Sequence, residues 1–233
     1  MLKALAVDVD GTITSNGGKI NFKAVSALRW MERLGKQVIL ASGRTHLELY
    51  TLAAYFGTTR VVVGENGGVV AILPDKIVLL GDKSKCLEAY DFLTKKFPKV
   101  VMKQTYPRFT DVVLQRTFNL EEGRKMIKEN NLPIELSDSK YAFHVNLIDV
   151  NKSKGLNLAL RYISVKPEEV VAIGDSETDI PMFNFCGYGI ALANAPDKAK
   201  KAASYVTERS MGEGLVEAID HVADRFFKVQ LTK

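Results

Sequence analysis

The fold is decided by the segment 2–14, in which the apolar run Leu2-Lys3-Ala4-Leu5-Ala6-Val7 leads directly into Asp8-Val9-Asp10-Gly11-Thr12-Ile13-Thr14. Similar runs, each rich in Val, Ile or Ala, recur at 37–41, 60–63 and 169–173. Strands that are apolar on both faces belong to parallel sheets covered by helices on each side. Segments of helical period lie between these runs, at 21–34, 46–56 and 155–163. Strands that alternate with helices in this way predict a doubly wound, Rossmann-like α/β core.

The middle of the chain has a different pattern, which predicts a separate small unit. One helical segment spans 83–97, and a second runs to about 129 after a capping box formed by Asn119 and Glu122. The accompanying strand-like segments are 100–104, 111–115, 134–136 and 143–147. An α-β-β-α-β-β order suits an antiparallel sheet with helices on one face. We therefore predict a core of 1–80 and 152–233 that is interrupted by an inserted α+β cap of 81–151.

Composition and charge narrow the class of protein. The 233 residues are 46% hydrophobic and 25% charged, which is ordinary for a globular protein and excludes disordered and fibrous classes. The net charge of +5 is spread along the chain, whereas nucleic-acid binders gather basic residues into a patch. We interpret the one short basic run, Lys198 with Lys200 and Lys201, as a solvated face, and we predict no nucleic-acid partner. The positive charge favours small anionic substrates.

Cysteines and apolar runs indicate the compartment. Cys86 and Cys186 lie far apart without metal-ligand spacing, so we expect no disulfide framework and a reducing environment. The chain opens on a strand rather than a signal peptide, and no apolar run approaches the roughly 18 residues that span a bilayer. These features predict a cytoplasmic protein that makes no membrane contact.

Two carboxylates follow the first strand. Asp8 and Asp10 stand at the carboxyl end of a strand, where ligands bind in open parallel sheets. Carboxylates this close repel each other unless a cation or shared proton intervenes, and Mg²⁺ is usually held by one or two carboxylates together with substrate phosphate. Gly11 allows a sharp turn just past the strand. A solvated pair of aspartates in a turn is the alternative.

A second acidic cluster follows the run 169–173, in the sequence Gly174-Asp175-Ser176-Glu177-Thr178-Asp179. Asp175 and Asp179 fall on one face if this loop winds into a helical turn. Together with Asp10 they would form an oxygen cage for one divalent cation. The alternative is an acidic helix start, which the helix dipole favours.

Two further elements predict an anion site. Ser42-Gly43-Arg44 follows the strand 37–41, and a hydroxyl with free backbone N–H groups at such a junction can cradle an anion. A simple N-cap serine is the alternative. Lys152 and Lys154 stand at a helix start, where the dipole repels cations unless an anion lies nearby. Ordinary surface lysines are the alternative here.

The segment Gly64-Glu65-Asn66-Gly67-Gly68 invites comparison with a nucleotide-binding loop. It lacks the spacing of a dinucleotide fingerprint, and no helical pattern follows it. We interpret it as a turn that leads a strand into a small hairpin beside the site.

The order of these features, Asp-x-Asp, Ser, Lys and then Asp-x-x-x-Asp, is more specific than any one of them. Over essentially its whole length the chain resembles the haloacid dehalogenase (HAD) superfamily. The run 8–14 matches the first motif of that family, Ser42 the second, Lys152 the third, and Asp175 with Asp179 the fourth. The inserted unit looks like the cap of the second HAD class. The short chain and minimal cap look most like the archaeal phosphoglycolate phosphatases.

Two positions depart from the family pattern. The third motif usually reads Lys-Gly, whereas Lys152 precedes Ser153 and Lys154 precedes Gly155. We choose Lys152, because the spacing to the fourth motif then fits the family without a gap. The fourth motif commonly carries Asn before its last Asp, where this chain has Thr178, so we do not assign Thr178 as a metal ligand.

The resemblance implies a Mg²⁺-dependent phosphomonoester hydrolase. Asp8 would attack phosphorus to give a phosphoryl-aspartate, and Asp10 would serve as general acid and then general base. The implied metal ligands are Asp8, the Asp10 carbonyl, Asp175 and Asp179. The implied phosphate ligands are Ser42, Gly43 and Lys152. The cap would close over a small phosphorylated metabolite and contribute selectivity.

The predicted substrate is 2-phosphoglycolate, with a sugar phosphate as the alternative. A carboxylate-bearing substrate needs a cation from the cap side, and the candidates are Arg44, Lys103, Arg108 and His144. A phosphomutase, a non-catalytic phosphate-binding module and a signalling receiver domain are distant alternatives. The receiver domain fits least, because its phosphorylated Asp lies on a middle strand. The sequence leaves the oligomeric state open, a homodimer included.

Overall fold

The computed structural model describes residues 1–73, 75–139 and 141–227, which form eleven strands and eight α-helices. The strands are β1 (Ala4–Val7), β2 (Gln37–Ala41), β3 (Val62–Gly64), β4 (Val69–Leu73), β5 (Lys76–Leu79), β6 (Val112–Leu114), β7 (Ile134–Asp138), β8 (Phe143–Leu147), β9 (Val170–Gly174), β10 (Tyr188–Ala191) and β11 (Tyr205–Val206). The helices are α1 (Phe22–Arg33), α2 (His46–Phe56), α3 (Lys83–Lys96), α4 (Leu120–Glu129), α5 (Lys152–Tyr162), α6 (Ile180–Phe185), α7 (Asp197–Ala202) and α8 (Met211–Phe227).

The larger sheet has eight strands in the order β11-β10-β9-β1-β2-β3-β4-β5. The six strands from β11 to β3 are parallel, and β4 and β5 continue the sheet as an antiparallel pair. Among the six, the strands that follow β1 directly lie on one side of it, and β9 to β11 lie on the other. A doubly wound sheet binds its ligand at such a switch point, here between β1 and β9. The predicted α/β core is confirmed.

Both faces of the larger sheet are covered, as the apolar strands predict. Successive side chains of a strand point to opposite faces. Accordingly, Leu5 and Val7 of β1 belong to a hydrophobic cluster with residues of α1, α2 and α8. Ala4 and Ala6 belong to a second cluster with residues of α5, α6 and α7. All four of these side chains are fully buried, so β1 lies at the centre of the molecule's main core.

The smaller sheet has three antiparallel strands in the order β6-β8-β7, and α3 and α4 bury their apolar side chains against it. The predicted fourth strand over 100–104 is wrong. That segment makes only an isolated bridge between Met102 and Leu114, and Val101 is 46% exposed. It lies at the edge of the sheet, where too little apolar surface is buried to extend the pairing. The limits of core (1–80, 152–233) and cap (81–151) stay a prediction.

Local signals at the turns are mostly as predicted. The segment 64–68 turns β3 into the antiparallel β4 through a short 3₁₀ helix, Glu65–Gly67, which confirms the predicted hairpin. Asn119 caps α4 by accepting from the N–H groups of Glu121 and Glu122 at 3.0 and 3.3 Å. The reciprocal side-chain bond of a capping box is not found for α4 among the described residues. In that same part of the chain, none of the helices combines the length and apolar character that a membrane crossing requires.

Candidate active site

Asp8 follows β1 directly and lies at the switch point of the sheet. It is 4% exposed, and its backbone N–H donates to the Ile173 carbonyl at 3.0 Å, so the start of the loop is still tied to β9. The chain then turns at Gly11, whose φ is +81°. A Cβ at this position would lie 2.6 Å from Asp175 Oδ2. Glycine is therefore required both for the turn and for the close approach of the two acidic loops.

The loop after β9 fixes Asp179 beneath the end of the strand. Asp179 Oδ2 accepts from the N–H groups of Asp175 and Ser176 at 3.0 and 2.8 Å, and from the Ser176 hydroxyl at 2.9 Å. The loop winds into a 3₁₀ turn, Glu177–Asp179, and Asp179 is fully buried. A Cβ on Gly174 would lie 2.3 Å from the Asp179 carboxyl carbon, so the strand must end on glycine here.

Asn194 joins the two acidic loops and was not singled out from the sequence. Its Nδ2 donates to Asp175 Oδ2 at 2.8 Å and to the Gly11 carbonyl at 3.0 Å. Its Oδ1 accepts from the backbone N–H of Met211, the first residue of α8, at 2.8 Å. The bonds to one asparagine therefore fix the orientation of the Asp175 carboxylate. A lone Asn in a loop gives no sequence signal for such a role.

Three of the predicted acidic residues converge. Asp8, Asp175 and Asp179 are buried, and each offers a carboxylate oxygen within 4.8 Å of the others. Carboxylate oxygens at this spacing are the kind of ligand set that holds a hard divalent cation. The Asp10 carboxylate is not part of this group of three.

Lys152 reaches the same group from the first turn of α5. Its Nζ lies 2.6 Å from Asp8 Oδ1 and 2.6 Å from Asp179 Oδ1, and the side chain is 1% exposed. Lys154, by contrast, pairs with Asp149 at 2.8 Å, where its side chain is 38% exposed. The structure thus brings Lys152, and not Lys154, to the predicted nucleophile.

The charges in this group alter one another's protonation. Burial is the main cause that raises the pKa of Asp8 well above its usual value, although the nearby Lys152 opposes that rise. Burial alone would lower the pKa of Lys152. The Asp179 and Asp8 carboxylates outweigh it and raise the pKa of the ammonium, which therefore stays charged.

Asp10 is held apart from the acidic group by Arg44. Nε and Nη2 of Arg44 donate to the two carboxylate oxygens of Asp10, each at 2.7 Å. Nη1 of Arg44 donates to Glu48 Oε1 at 2.9 Å, and Glu48 also completes a capping box with Thr45 at the start of α2. The bidentate geometry fixes the Asp10 carboxylate, and its side chain remains 41% exposed. Arg44, one of the candidate substrate cations, is thereby engaged with Asp10 and Glu48.

Ser42 and Gly43 follow β2 beside these groups. Ser42 is 1% exposed, and its Oγ accepts from the Arg44 N–H at 3.4 Å. Asp8, Asp10, Ser42, Gly43 and Lys152 line one cavity of about 860 Å³. The cavity therefore brings together every predicted catalytic and phosphate-binding residue.

The other wall of the cavity comes from the segment between α3 and α5. Among the candidate substrate cations, Arg44, Arg108 and His144 line the cavity, and the last two contact the buried Asp111. Lys103 is not among the lining residues, and its Nζ lies 4.0 Å from the centre of the Tyr141 ring. A ligand in this cavity would contact the loops that follow strands of the larger sheet and, at the same time, the segment that contains the smaller sheet.

The sequence matches the family model described as haloacid dehalogenase-like hydrolase over residues 5–106 and 109–219. The chain belongs to that family. The phosphoglycolate phosphatase of Nitrosopumilus maritimus is 40% identical over 222 residues, covering 95% of this chain and 96% of that enzyme. The phosphoglycolate phosphatase of Archaeoglobus fulgidus is 40% identical over 218 residues, covering 93% and 95%. The HAD resemblance predicted from the four motifs is confirmed.

Solved structures agree with this family assignment. A crystal structure of a Thermoplasma acidophilum protein superimposes with a TM-score of 0.84 at 25% identity, covering 95% of this chain and 98% of that one. A HAD subclass IIB sugar phosphatase superimposes with a TM-score of 0.79 at 19% identity, covering 95% and 99%. At that low identity the second likeness concerns the fold alone. The chain is thus a HAD-type hydrolase with the fold of this family.

Proposed function

We propose that this chain is a Mg²⁺-dependent phosphomonoester hydrolase that forms a phosphoryl-aspartate on Asp8 and converts 2-phosphoglycolate to glycolate and phosphate. The observation that carries the proposal is the buried group of Asp8, Asp175 and Asp179, in which Lys152 contacts Asp8 and Asp179 beside the cavity. Four ionisable groups are rarely buried together unless function requires them, because desolvation opposes their charges.

The donor set fits a divalent cation. When all four groups are ionised, three negative charges face one positive charge, which leaves two negative charges uncompensated. Oxygen ligands from Asp8, Asp175, Asp179 and the Asp10 carbonyl would hold Mg²⁺ there. When bound, the ion would reduce the repulsion between the attacking carboxylate and the phosphate.

The residues of the chain then have distinct roles. A carboxylate oxygen of Asp8 attacks phosphorus, the bond to the ester oxygen breaks, and Asp10 delivers a proton to the leaving alcohol. Asp10, now a carboxylate, takes a proton from water, whose oxygen attacks the phosphorus of phosphoryl-Asp8. Phosphate leaves and the Asp8 carboxylate is restored. The bidentate contact with Arg44 holds Asp10 at the cavity wall. One Asp10 oxygen must therefore be released from Arg44 before Asp10 carries its proton.

Lys152, the Ser42 hydroxyl and the Gly43 backbone N–H are assigned to the non-bridging phosphate oxygens. Phosphoryl transfer depends mainly on positioning and on compensation of charge, which these groups supply. Lys152 donates to two carboxylates and lines the cavity, and its ammonium has a third N–H for a phosphate oxygen.

The substrate assignment draws support from two relatives at 40% identity that are named phosphoglycolate phosphatase. One observation favours a sugar phosphate as the second candidate. A cavity of about 860 Å³ is large for a two-carbon phosphoester, because pockets of this size hold drug-sized ligands. Phosphatases of this family act on small phosphorylated substrates, and both candidates are of that class.

The test is phosphate release from 2-phosphoglycolate, a hexose phosphate and an aryl phosphate, each with and without Mg²⁺. We expect Mg²⁺-dependent turnover that is fastest on 2-phosphoglycolate and is abolished by Asp8→Asn. Asp149→Asn is the matched control, since it removes a carboxylate that pairs with a lysine at the surface. Equal rates on the three substrates would contradict the glycolate assignment, and turnover in Asp8→Asn would contradict the nucleophile.

A further inference from the structure

The Asn66 side chain is buried without a hydrogen-bond partner. It is 4% exposed, and among the described residues its Nδ2, its Oδ1 and His46 Nδ1 are the buried side-chain polar atoms that lack one. An unpaired buried amide is destabilising, and native proteins keep few of them. The backbone of Asn66 also has a φ of +52°, in the left-handed region. Asparagine tolerates this region, so the unpaired buried amide is the feature that a bound ligand would explain.

Asn66 lies beside the residues assigned to the phosphate. It sits in the turn between β3 and β4, it lines the cavity, and its backbone N–H donates to the Ser42 carbonyl at 3.1 Å. A Cβ built on Gly43 would lie 3.3 Å from both Nδ2 and Oδ1 of Asn66, and 3.0 Å from Cε1 of His144. The amide and the imidazole therefore meet over Gly43.

A cation is fixed at the same place. Arg108 Nη2 donates to the Gly43 carbonyl at 2.6 Å and to Asp111 Oδ2 at 2.9 Å, and the Arg108 side chain is 7% exposed. His144 Nδ1 lies 3.5 Å from the same Asp111 oxygen, and Nε2 lies 3.1 Å from the Ser139 hydroxyl. Burial would raise the pKa of Asp111, but Arg108 and His144 outweigh it and lower that pKa. Asp111 thus stays ionised and orients both groups.

We propose that Asn66 and Arg108 form a subsite for the carboxylate of the substrate, with the His144 ring packed beside them against Gly43. The subsite rests on the proposed phosphatase function, because it places the carboxylate next to the Ser42–Gly43 phosphate site. A carboxylate only accepts hydrogen bonds, and Asn66 Nδ2 offers unused donors beside the Arg108 cation. Since the two sites meet at Gly43, few atoms can separate the two anionic groups. The preferred ligand class is therefore a short phosphorylated carboxylic acid.

The test compares two substrates that differ in the carboxylate. Asn66→Asp keeps the size and the turn preference of the side chain but presents a negative charge to the subsite. We expect kcat/KM for 2-phosphoglycolate to fall roughly 10- to 100-fold more than kcat/KM for ethyl phosphate. Asn131→Asp is the matched control, because Asn131 is exposed and has a φ of +51°, so both rates should stay unchanged.

A second variant guards against a general loss of folding. Arg108→Lys keeps the charge but removes the planar guanidinium group with its several donors. We expect it to raise KM for 2-phosphoglycolate more than KM for ethyl phosphate. Equal losses of kcat/KM on both substrates in folded variants would overturn the subsite. A loss of kcat/KM that is selective for a hexose phosphate would also overturn it, because it would indicate that Asn66 Oδ1 accepts from a hydroxyl. Turnover of ethyl phosphate by the wild-type protein, without preference for 2-phosphoglycolate, would refute the subsite while leaving the phosphatase function intact. If the wild-type protein turned over no phosphomonoester at all, the proposed function itself would be refuted.

Discussion

At the scale of the residue, glycines decide how closely the acidic loops approach. Gly11 combines a φ of +81° with a Cβ position 2.6 Å from Asp175 Oδ2, whereas Gly35 has a φ of +70° and nothing within 4 Å of its Cβ position. Both positions disfavour any L side chain on backbone grounds. A methyl group at Gly11 would displace the Asp175 carboxylate, whereas one at Gly35 would displace nothing. Comparing the two alanine variants therefore distinguishes the effect of backbone strain from the effect of damage to the site.

Gly11→Ala should therefore cost more than Gly35→Ala. We expect both variants to lose about 1 kcal/mol of unfolding free energy from the positive φ. Only Gly11→Ala should also displace the Asp175 carboxylate and weaken Mg²⁺ binding at least tenfold, a change of about 1.4 kcal/mol. Urea unfolding and the Mg²⁺ dependence of turnover measure the two effects. Equal Mg²⁺ dependence in the two variants would contradict the role given to Gly11.

Residues with a position-specific signal could be predicted from the sequence, and isolated ones could not. Asp8 and Asp175 each follow an apolar strand, and such strand ends meet at one edge of a parallel sheet. Lys152 was chosen over Lys154 by spacing, and the structure places it 2.6 Å from Asp8. Asn66 and Asn194 are single loop residues whose contacts depend on how distant loops meet, and no local pattern records that.

At the scale of the element, the core strands were predictable because they are buried on both faces. Their Val- and Ala-rich runs leave no doubt about burial, and β2 spans the predicted residues. The failure at 100–104 has the opposite cause. An edge segment with exposed Val101 and Met102 carries the same alternation as a strand, but its pairing depends on packing that the sequence does not show.

The buried Glu65 side chain links the turn after β3 of the larger sheet to the segment before β6 of the smaller sheet. Glu65, fully buried in the turn after β3, accepts from the Thr110 N–H at 2.8 Å and the Thr110 hydroxyl at 2.7 Å. Both carboxylate oxygens also lie 3.1 Å from the Phe109 N–H. A carboxylate suits this position because the Phe109 N–H, the Thr110 N–H and the Thr110 hydroxyl all donate to it. The contact sets the segment 108–110 against the cavity, which is where Arg108 must stand.

Glu65→Gln should loosen this contact, because an amide brings a donor to face donors. We expect a loss of about 2–3 kcal/mol in unfolding free energy, the range for charged hydrogen bonds that are left unpaired. The same variant should raise KM for 2-phosphoglycolate, since Arg108 moves with the segment that Glu65 holds. Glu129→Gln, an exposed change in the last turn of α4, serves as the control. Chemical denaturation and steady-state kinetics give the two readouts, and unchanged values for both would rule out the fastening role.

At the scale of the whole molecule, the doubly wound order explains why the site lies where it does. β1 lies between β2 and β9, so the loops after β1 and β9 diverge to opposite sides and leave a crevice between them. The acidic residues line that crevice, and the segment 108–110 is held beside it by the bonds from Thr110 to Glu65 and from Arg108 to the Gly43 carbonyl. An excess of negative charge is thus buried at the centre of the molecule, and its neutralisation by a cation should be visible in global stability.

Mg²⁺ should therefore stabilise the folded protein without any substrate. A ligand that binds only the native state adds about 2.7 kcal/mol at 100 times its dissociation constant, so the melting temperature should rise with Mg²⁺ and fall again with a chelator. Asp175→Asn removes one of the three clustered carboxylates and should abolish most of that rise. Asp220→Asn, an exposed change on α8, should retain it. If Asp175→Asn responds to Mg²⁺ as strongly as the wild-type protein does, the cation is bound elsewhere, and the convergence of Asp8, Asp175 and Asp179 has another purpose.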